Sequence, residues 1–119
     1  MSINIVHLTT GEQIICKLTE AVNESNEPVC FVFTMPMSLV LYPNAEQPAN
    51  PDMNFFAWSP FSKTREFRVG FDRIVCVAEP TWNVYSTYVS LVQPLHPILS
   101  VEEFEEYKLE QQRSENKND

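Results

Sequence analysis

The chain has 119 residues, eight Lys or Arg against sixteen Asp or Glu, and a net charge of −8. That length suits one domain with a real core, and the acidic balance repels phosphate backbones at long range, so only a focused basic patch could bind nucleic acid. No stretch approaches the roughly 20 apolar residues of a membrane span: the longest uncharged run, Pro80 to Val101, is broken by Pro94 and Pro97.

Ile3–Leu8 and Gln13–Leu18 are two β-rich runs around Thr9-Thr10-Gly11-Glu12. Ile14, Cys16 and Leu18 alternate with Ile15, Lys17 and Thr19, which predicts a hairpin with one apolar face. Gly11, one of two glycines in the chain, marks the turn where positive φ is needed. Met1-Ser2 leads straight into strand with no basic leader, so a cytoplasmic location is expected.

After a polar turn over 23–28, Val29–Thr34 reads as a third strand with apolar residues on both faces. Met35-Pro36-Met37 interrupts it, and Ser38–Tyr42 resumes the pattern beyond a bend. Pro43, Pro48 and Pro51 make 43–52 an exposed loop. Met53–Trp58 follows as a strand, ending at Ser59-Pro60-Phe61. In the next, Phe67, Val69 and Phe71 alternate with Glu66, Arg68 and Gly70. Ile74–Ala78 is the last, stopped by Glu79-Pro80. About six short strands at this spacing predict a small antiparallel barrel or sandwich.

Residues 81–92 fit either a strand, by β-branched and aromatic content, or a helix, by the recurrence of Trp82, Tyr85, Val89 and Val92 with Thr81 as N-cap. The helix is the reading adopted. Ser100-Val101-Glu102-Glu103 has the capping-box pattern, and Val101, Phe104 and Tyr107 then form a narrow apolar stripe on a helix over 100–113. Residues 114–119 are expected to be disordered. The domain reading is therefore a barrel with its following helix over 1–99, then the amphipathic helix and tail.

Cys16, Cys30 and Cys76 are odd in number and widely spaced, and read as reduced core thiols rather than disulfides or a metal site. His7 and His96 lack ligand spacing, although His7 and Cys16 could face each other across the hairpin. No glycine-rich phosphate loop exists, and the glutamates from 102 to 106 read as a solvated helix face. No catalytic constellation, cofactor or metal is expected; the chain reads as a non-enzyme.

The basic residues are uneven. Four of the five bases in residues 1–99, Lys63, Arg65, Arg68 and Arg73, fall within eleven positions. They are the candidate nucleic-acid-binding residues. Phe61, Phe67 and Phe71 could stack on unpaired bases wherever they are exposed. The plainer reading of the same cluster is a solvated strand face.

The order of elements resembles an Sm-like barrel, the fold of Sm, LSm and Hfq proteins. Residues 3–35 correspond to its first motif and 66–77 to its second, with Arg68, Gly70 and Ile74 nearest its hydrophobic–Arg–Gly…Ile pattern; here Val69 separates the Arg from the Gly. The chain is also similar to small proteins of tailed phages, including cyanophages, through Leu8 to Glu12, Pro36, Trp58 to Phe61, Glu79-Pro80 and Tyr88. The resemblance implies five bent antiparallel strands in a small open barrel, with one or two C-terminal helices added here. It also implies a homo-oligomeric ring of about five to seven copies, closed by edge-to-edge strand pairing, in the cytoplasm of an infected host. Two functions stay open: a ring that binds single-stranded RNA through 63–73, and an assembly or adaptor module that binds protein. Neither involves a membrane.

Overall fold

The computed structural model describes residues 2–49 and 51–116. The chain divides after Pro80 into two compact units. The first is mostly β: β1 (Ser2–Leu8), β2 (Gln13–Val22), β3 (Pro28–Tyr42), β4 (Asp52–Ala57), β5 (Glu66–Val69) and β6 (Ile74–Ala78). The second holds two helices, α1 (Trp82–Val92) and α2 (Val101–Asn116).

The six strands form one antiparallel sheet in the order β4-β3-β2-β1-β6, with β5 also paired to β3. The sheet is open. Gly11 takes φ +92 in the β1–β2 turn, and Leu8 accepts from its amide while donating to Glu12. The 23–27 turn is closed by Asn23, whose Oδ1 accepts from the amides of Ser25 and Glu27, while Asn26 adopts φ +63, a conformation asparagine tolerates.

The interruption expected at Met35-Pro36-Met37 is a bulge inside one continuous strand. Ile15 pairs with Met37 and Lys17 with Thr34, so Met35 and Pro36 together oppose Cys16. Met35 takes φ +51 there. A bulge tolerates a proline because the displaced position makes no ladder bond. Beyond it β3 exchanges neighbours. Residues 31–34 pair with β5 and residues 37–42 with β4, so β4 and β5 lie end to end along one edge of β3. β4 and β5 are separated by an excursion over 58–65.

The sheet is strongly bent. Phe71 packs edge-to-face on Phe31, with ring centroids 4.9 Å apart, and two residues later the Arg73 carbonyl accepts from the Thr9 amide at 2.9 Å. Phe31 is opposite Glu20 on β2, whereas Thr9 directly follows Leu8, whose amide donates to the Glu12 carbonyl. On a flat sheet, eight residues of β2 would hold those points roughly 26 Å apart. Two residues of chain span at most about 7 Å, so even with two phenyl rings β2 and β3 must curl.

Inside the curl lies the core of Val6, Leu8, Ile14, Cys16 and Phe33, with Leu18, Phe31, Trp58, Phe67, Val69 and Ile74 against it. Trp58 packs between Phe33 and Phe67, tilted on the first and edge-to-face with the second, and its indole N–H donates to Glu12 Oε2 at 3.2 Å, so the one polar atom of this large side chain is satisfied.

In the helical unit, Trp82–Val92 is a helix, as the recurrence of Trp82, Tyr85, Val89 and Val92 predicts. Thr81 holds the N-cap position without a side-chain cap bond. Ser100 and Glu103 make the reciprocal capping box, at 2.9 and 3.1 Å. Trp82, Tyr85, Phe104 and Tyr107 form an aromatic cluster. The Tyr107 hydroxyl bonds Ser90 Oγ and donates to the Ser86 carbonyl. Val101 is exposed and takes no part, so the apolar stripe expected on α2 narrows to Phe104 and Tyr107. α2 continues to Asn116, through residues 114–116 where a disordered tail is expected from the sequence. Glu, Gln, Lys and Arg are good helix formers, and Glu110 pairs with Arg113 one turn on. Residues 117–119 lie outside the described residues. No helix among the described residues is long and apolar enough to cross a membrane.

Candidate nucleic-acid interface

The basic segment is built around β5. Phe67 and Val69 pair with Phe33 and Phe31 and pack into the core, so period-2 alternation sends Arg68 and Glu66 to the opposite face. Arg68 is exposed there, opposite Val32.

Lys63 and Arg65 precede β5 in the 58–65 excursion, and both are exposed. This excursion is tied at each end to the β3 bulge. The Trp58 amide donates to the Pro36 carbonyl at 3.2 Å, and the Met35 amide donates to the Arg65 carbonyl at 2.7 Å. Between the ties, the Ser62 amide donates to the Ser59 carbonyl at 3.1 Å, and the Thr64 amide to Ser62 Oγ at 3.0 Å. Arg73 follows β5 in a short 3-10 turn over Phe71–Arg73, with Nε 3.8 Å from Asp72 Oδ2. Both side chains are well exposed, so that pair contributes little.

The four bases therefore follow a strip along β5 rather than converging on one point. Arg65 and Arg68, three residues apart, are about 10 Å from each other along the strand. Glu66 and Asp72 interleave with them, leaving the segment 63–73 at four bases less two acids, or +2. Lys17 is a fifth base on the same face: it opposes Thr34, which opposes Glu66 on β5. The alternation of Lys17 with Cys16 and Leu18 was the available signal, but only the β2–β3–β5 register shows that its face is that of Arg68.

The three phenylalanines separate clearly. Phe67 is committed to the core, Phe71 is held against Phe31, and Phe61 is fully exposed at the tip of the excursion.

Elsewhere the chemistry is quiet. Cys16 is buried among apolar side chains, and loss of solvation pushes its thiol up to about 12. That is the reverse of an activated nucleophile. His7 does not face it: His7 pairs with Gln13 and Cys76, while Asn4 pairs with Cys16. All three cysteines are free, but Cys76 is exposed on β6 and is not the core thiol expected from its apolar neighbours. Among the described residues no group of three His, Cys, Asp or Glu side chains could hold a metal. A shallow cavity of about 330 Å³ opens between Gly11–Gln13 and Ser38–Leu41. Its single carboxylate, Glu12, accepts from Thr10 and Trp58. No family model matches the chain, and no curated protein matches it.

Proposed function

We propose that the chain assembles through its sheet edges into a closed ring that binds single-stranded RNA along residues 63–73. The observation that carries this reading is β6. Its sequence Ile-Val-Cys-Val-Ala is that of a buried strand, yet Val75 is 67 % and Val77 41 % exposed, and β1 is the neighbour it pairs with in the sheet. A short apolar strand with an open edge invites pairing with another chain, and ring closure removes such edges altogether. The other end of the sheet supplies the complement, because β4 and β5 pair only with β3 in the sheet. The 3-10 turn that follows Gly70 and joins β5 to β6 suits the resemblance to Sm-like barrels. Pairing β6 of one copy with the outer edge of β5 in the next leaves the Arg68 face open. It also repeats a strip of net charge +2 around the ring, so that contacts too weak singly act together.

The protein-binding alternative draws on a different region. Beyond Ser38, β3 leaves β2 behind and continues with β4 as a two-stranded ribbon. Val40, Leu41, Tyr42 and Phe56 are exposed on it. Apolar residues on both faces of such a ribbon suit a protein partner.

Light scattering and RNA titration test the proposal together. The expected mass is a multiple of 13.8 kDa, and a single-subunit mass at micromolar concentration would sink the ring. Binding to mixed-sequence single-stranded RNA should weaken with salt. Replacing Arg65, Arg68 and Arg73 together by Gln should flatten the log–log slope by roughly 2 per subunit engaged, at about 0.7 per lost phosphate contact. If the native protein shows no salt-dependent RNA binding at low ionic strength, the adaptor reading takes over.

A further inference from the structure

The excursion over 58–65 carries more than charge. Phe61 is fully exposed, although neighbouring Trp58 is drawn into the core. Its position is not that of a loose loop. Ser59–Ser62 is a closed turn with Pro60 second, where the fixed φ of proline suits the geometry. Ser62 Oγ braces the following residues by accepting from Thr64. Bonds from Trp58 to Pro36 and from Met35 to Arg65 clamp both ends to the bulge of β3. The phenyl ring is thus presented to solvent by a short, internally bonded platform. The eight residues from 58 to 65 hold two bases and no acid, in a chain whose net charge is −8.

We infer that Phe61 is a base-stacking platform, on which one unpaired nucleotide rests while Lys63 and Arg65 meet the phosphates beside it. This rests on the RNA-binding reading above and adds to it the point at which bases, rather than backbone, are held. The aromatic face accepts any base, so the site selects single-stranded over paired RNA and has little sequence preference. Its charge and its ring act in separable ways. Lys63 contributes counterion release and hence salt dependence, whereas stacking is nearly independent of salt.

The test uses the full-length protein, a short mixed-sequence single-stranded RNA, heparin as a polyanion without bases, and phosphatidylglycerol–phosphatidylcholine vesicles as an anionic surface. Phe61→Ala and Phe61→Leu should each weaken RNA binding by about 5- to 150-fold, the range of one lost stacking contact, with the salt slope unchanged. Phe61→Trp should restore affinity, and heparin binding should not respond to any of the three. Lys63→Gln should instead lower the slope by about 0.7. Phe61→Leu keeps apolar bulk without a π face, so if it binds RNA like the native protein the stacking site is overturned. Equal losses for heparin, or a loss seen only with vesicles, would overturn it as well, the latter making the loop a membrane contact. RNA binding that survives with Phe61→Ala unaffected would remove this site alone. Absence of RNA binding by the native protein would remove the ring–RNA reading together with it.

Discussion

β2 and β6 are written in nearly the same alphabet and have opposite fates. Ile14-Ile15-Cys16 in β2 is completely buried, while Val75-Cys76-Val77 in β6 is exposed at all three positions. Local composition does not separate them, because β propensity measures fit to a pleated, half-buried surface and not position in a sheet. What separates them is pairing. β2 lies between β1 and β3 and contributes to the closed side of the curl, whereas β6 is the last strand of the path. An apolar run is therefore core in one place and an exposed edge in the other.

The sharpest way to break this comparison is truncation at matched positions. Ile14→Ala removes buried methylenes from the centre of the core and should cost about 2–5 kcal/mol. Val75→Ala, in subunits kept apart by low concentration, should stay within about 0.5 kcal/mol of the native stability. Urea unfolding of the two variants checks both. Similar losses would mean that β6 is covered within the single subunit.

Charge placed on the edge sharpens the comparison from the other side. Val75→Lys puts an ammonium on the strand face that is already open, where it costs the subunit little, but makes edge pairing unfavourable in the way natural edge strands are protected. The expected result is loss of the assembled species in sedimentation velocity with an unchanged unfolding midpoint for the dilute subunit. An assembly of native mass in Val75→Lys would move the contact of the proposed ring elsewhere.

The cysteines report the same contrast chemically. Cys76 should react with a thiol reagent in the native state, and Cys16 only after unfolding. Burial raises the Cys16 pKa from 9.0 to about 12, so the folded state holds this proton more tightly than the unfolded chain does. Its contribution to stability is complete below about pH 9 and declines as pH rises from there toward 12. Tyr85 acts in the same direction in the helical unit, raised by burial first and then by the negative charges of Glu103 and Glu106 and by Tyr107. Cys16→Ala should therefore reduce, without abolishing, the alkaline fall of the urea midpoint. A Cys16→Ala protein with the native alkaline profile would show that the thiol does not titrate on unfolding.

These contrasts show which parts of the molecule were legible before its structure. Wherever the governing interaction is local, the residues declare it: the Gly11 turn, the alternation of β5, the helical recurrence from Trp82, and the Ser100 box. Where it is not local, they do not. Met35-Pro36 looks like a break because proline cannot join a ladder, but β3 continues past it as a bulge whose existence depends on β2. That β4 and β5 share one edge of β3 follows from its pairing on either side of that bulge, and Cys76 looks buried until β6 is placed at the end of the path. At the candidate site, the charges of 63–73 are visible in the sequence, while the face that Arg68 shares with Lys17 follows from register alone.

The smallest expected effect is also the most local. Ser100 Oγ accepts from the Glu103 amide at 3.1 Å, and Glu103 Oε1 accepts from the Ser100 amide at 2.9 Å, so the first turn of α2 depends on two side chains three residues apart. Glu102 and Glu103 also place negative charge where the helix dipole favours it. Ser100→Ala leaves the Glu103 amide without its side-chain acceptor and should cost the helical unit about 1 kcal/mol, with Ser100→Gly losing only a few tenths and Ser100→Asp holding near the native value. Thermal unfolding followed by far-UV circular dichroism measures the series. If Ala matches Asp, the first turn of α2 is held by something other than its cap, and even this part of the fold is governed from a distance.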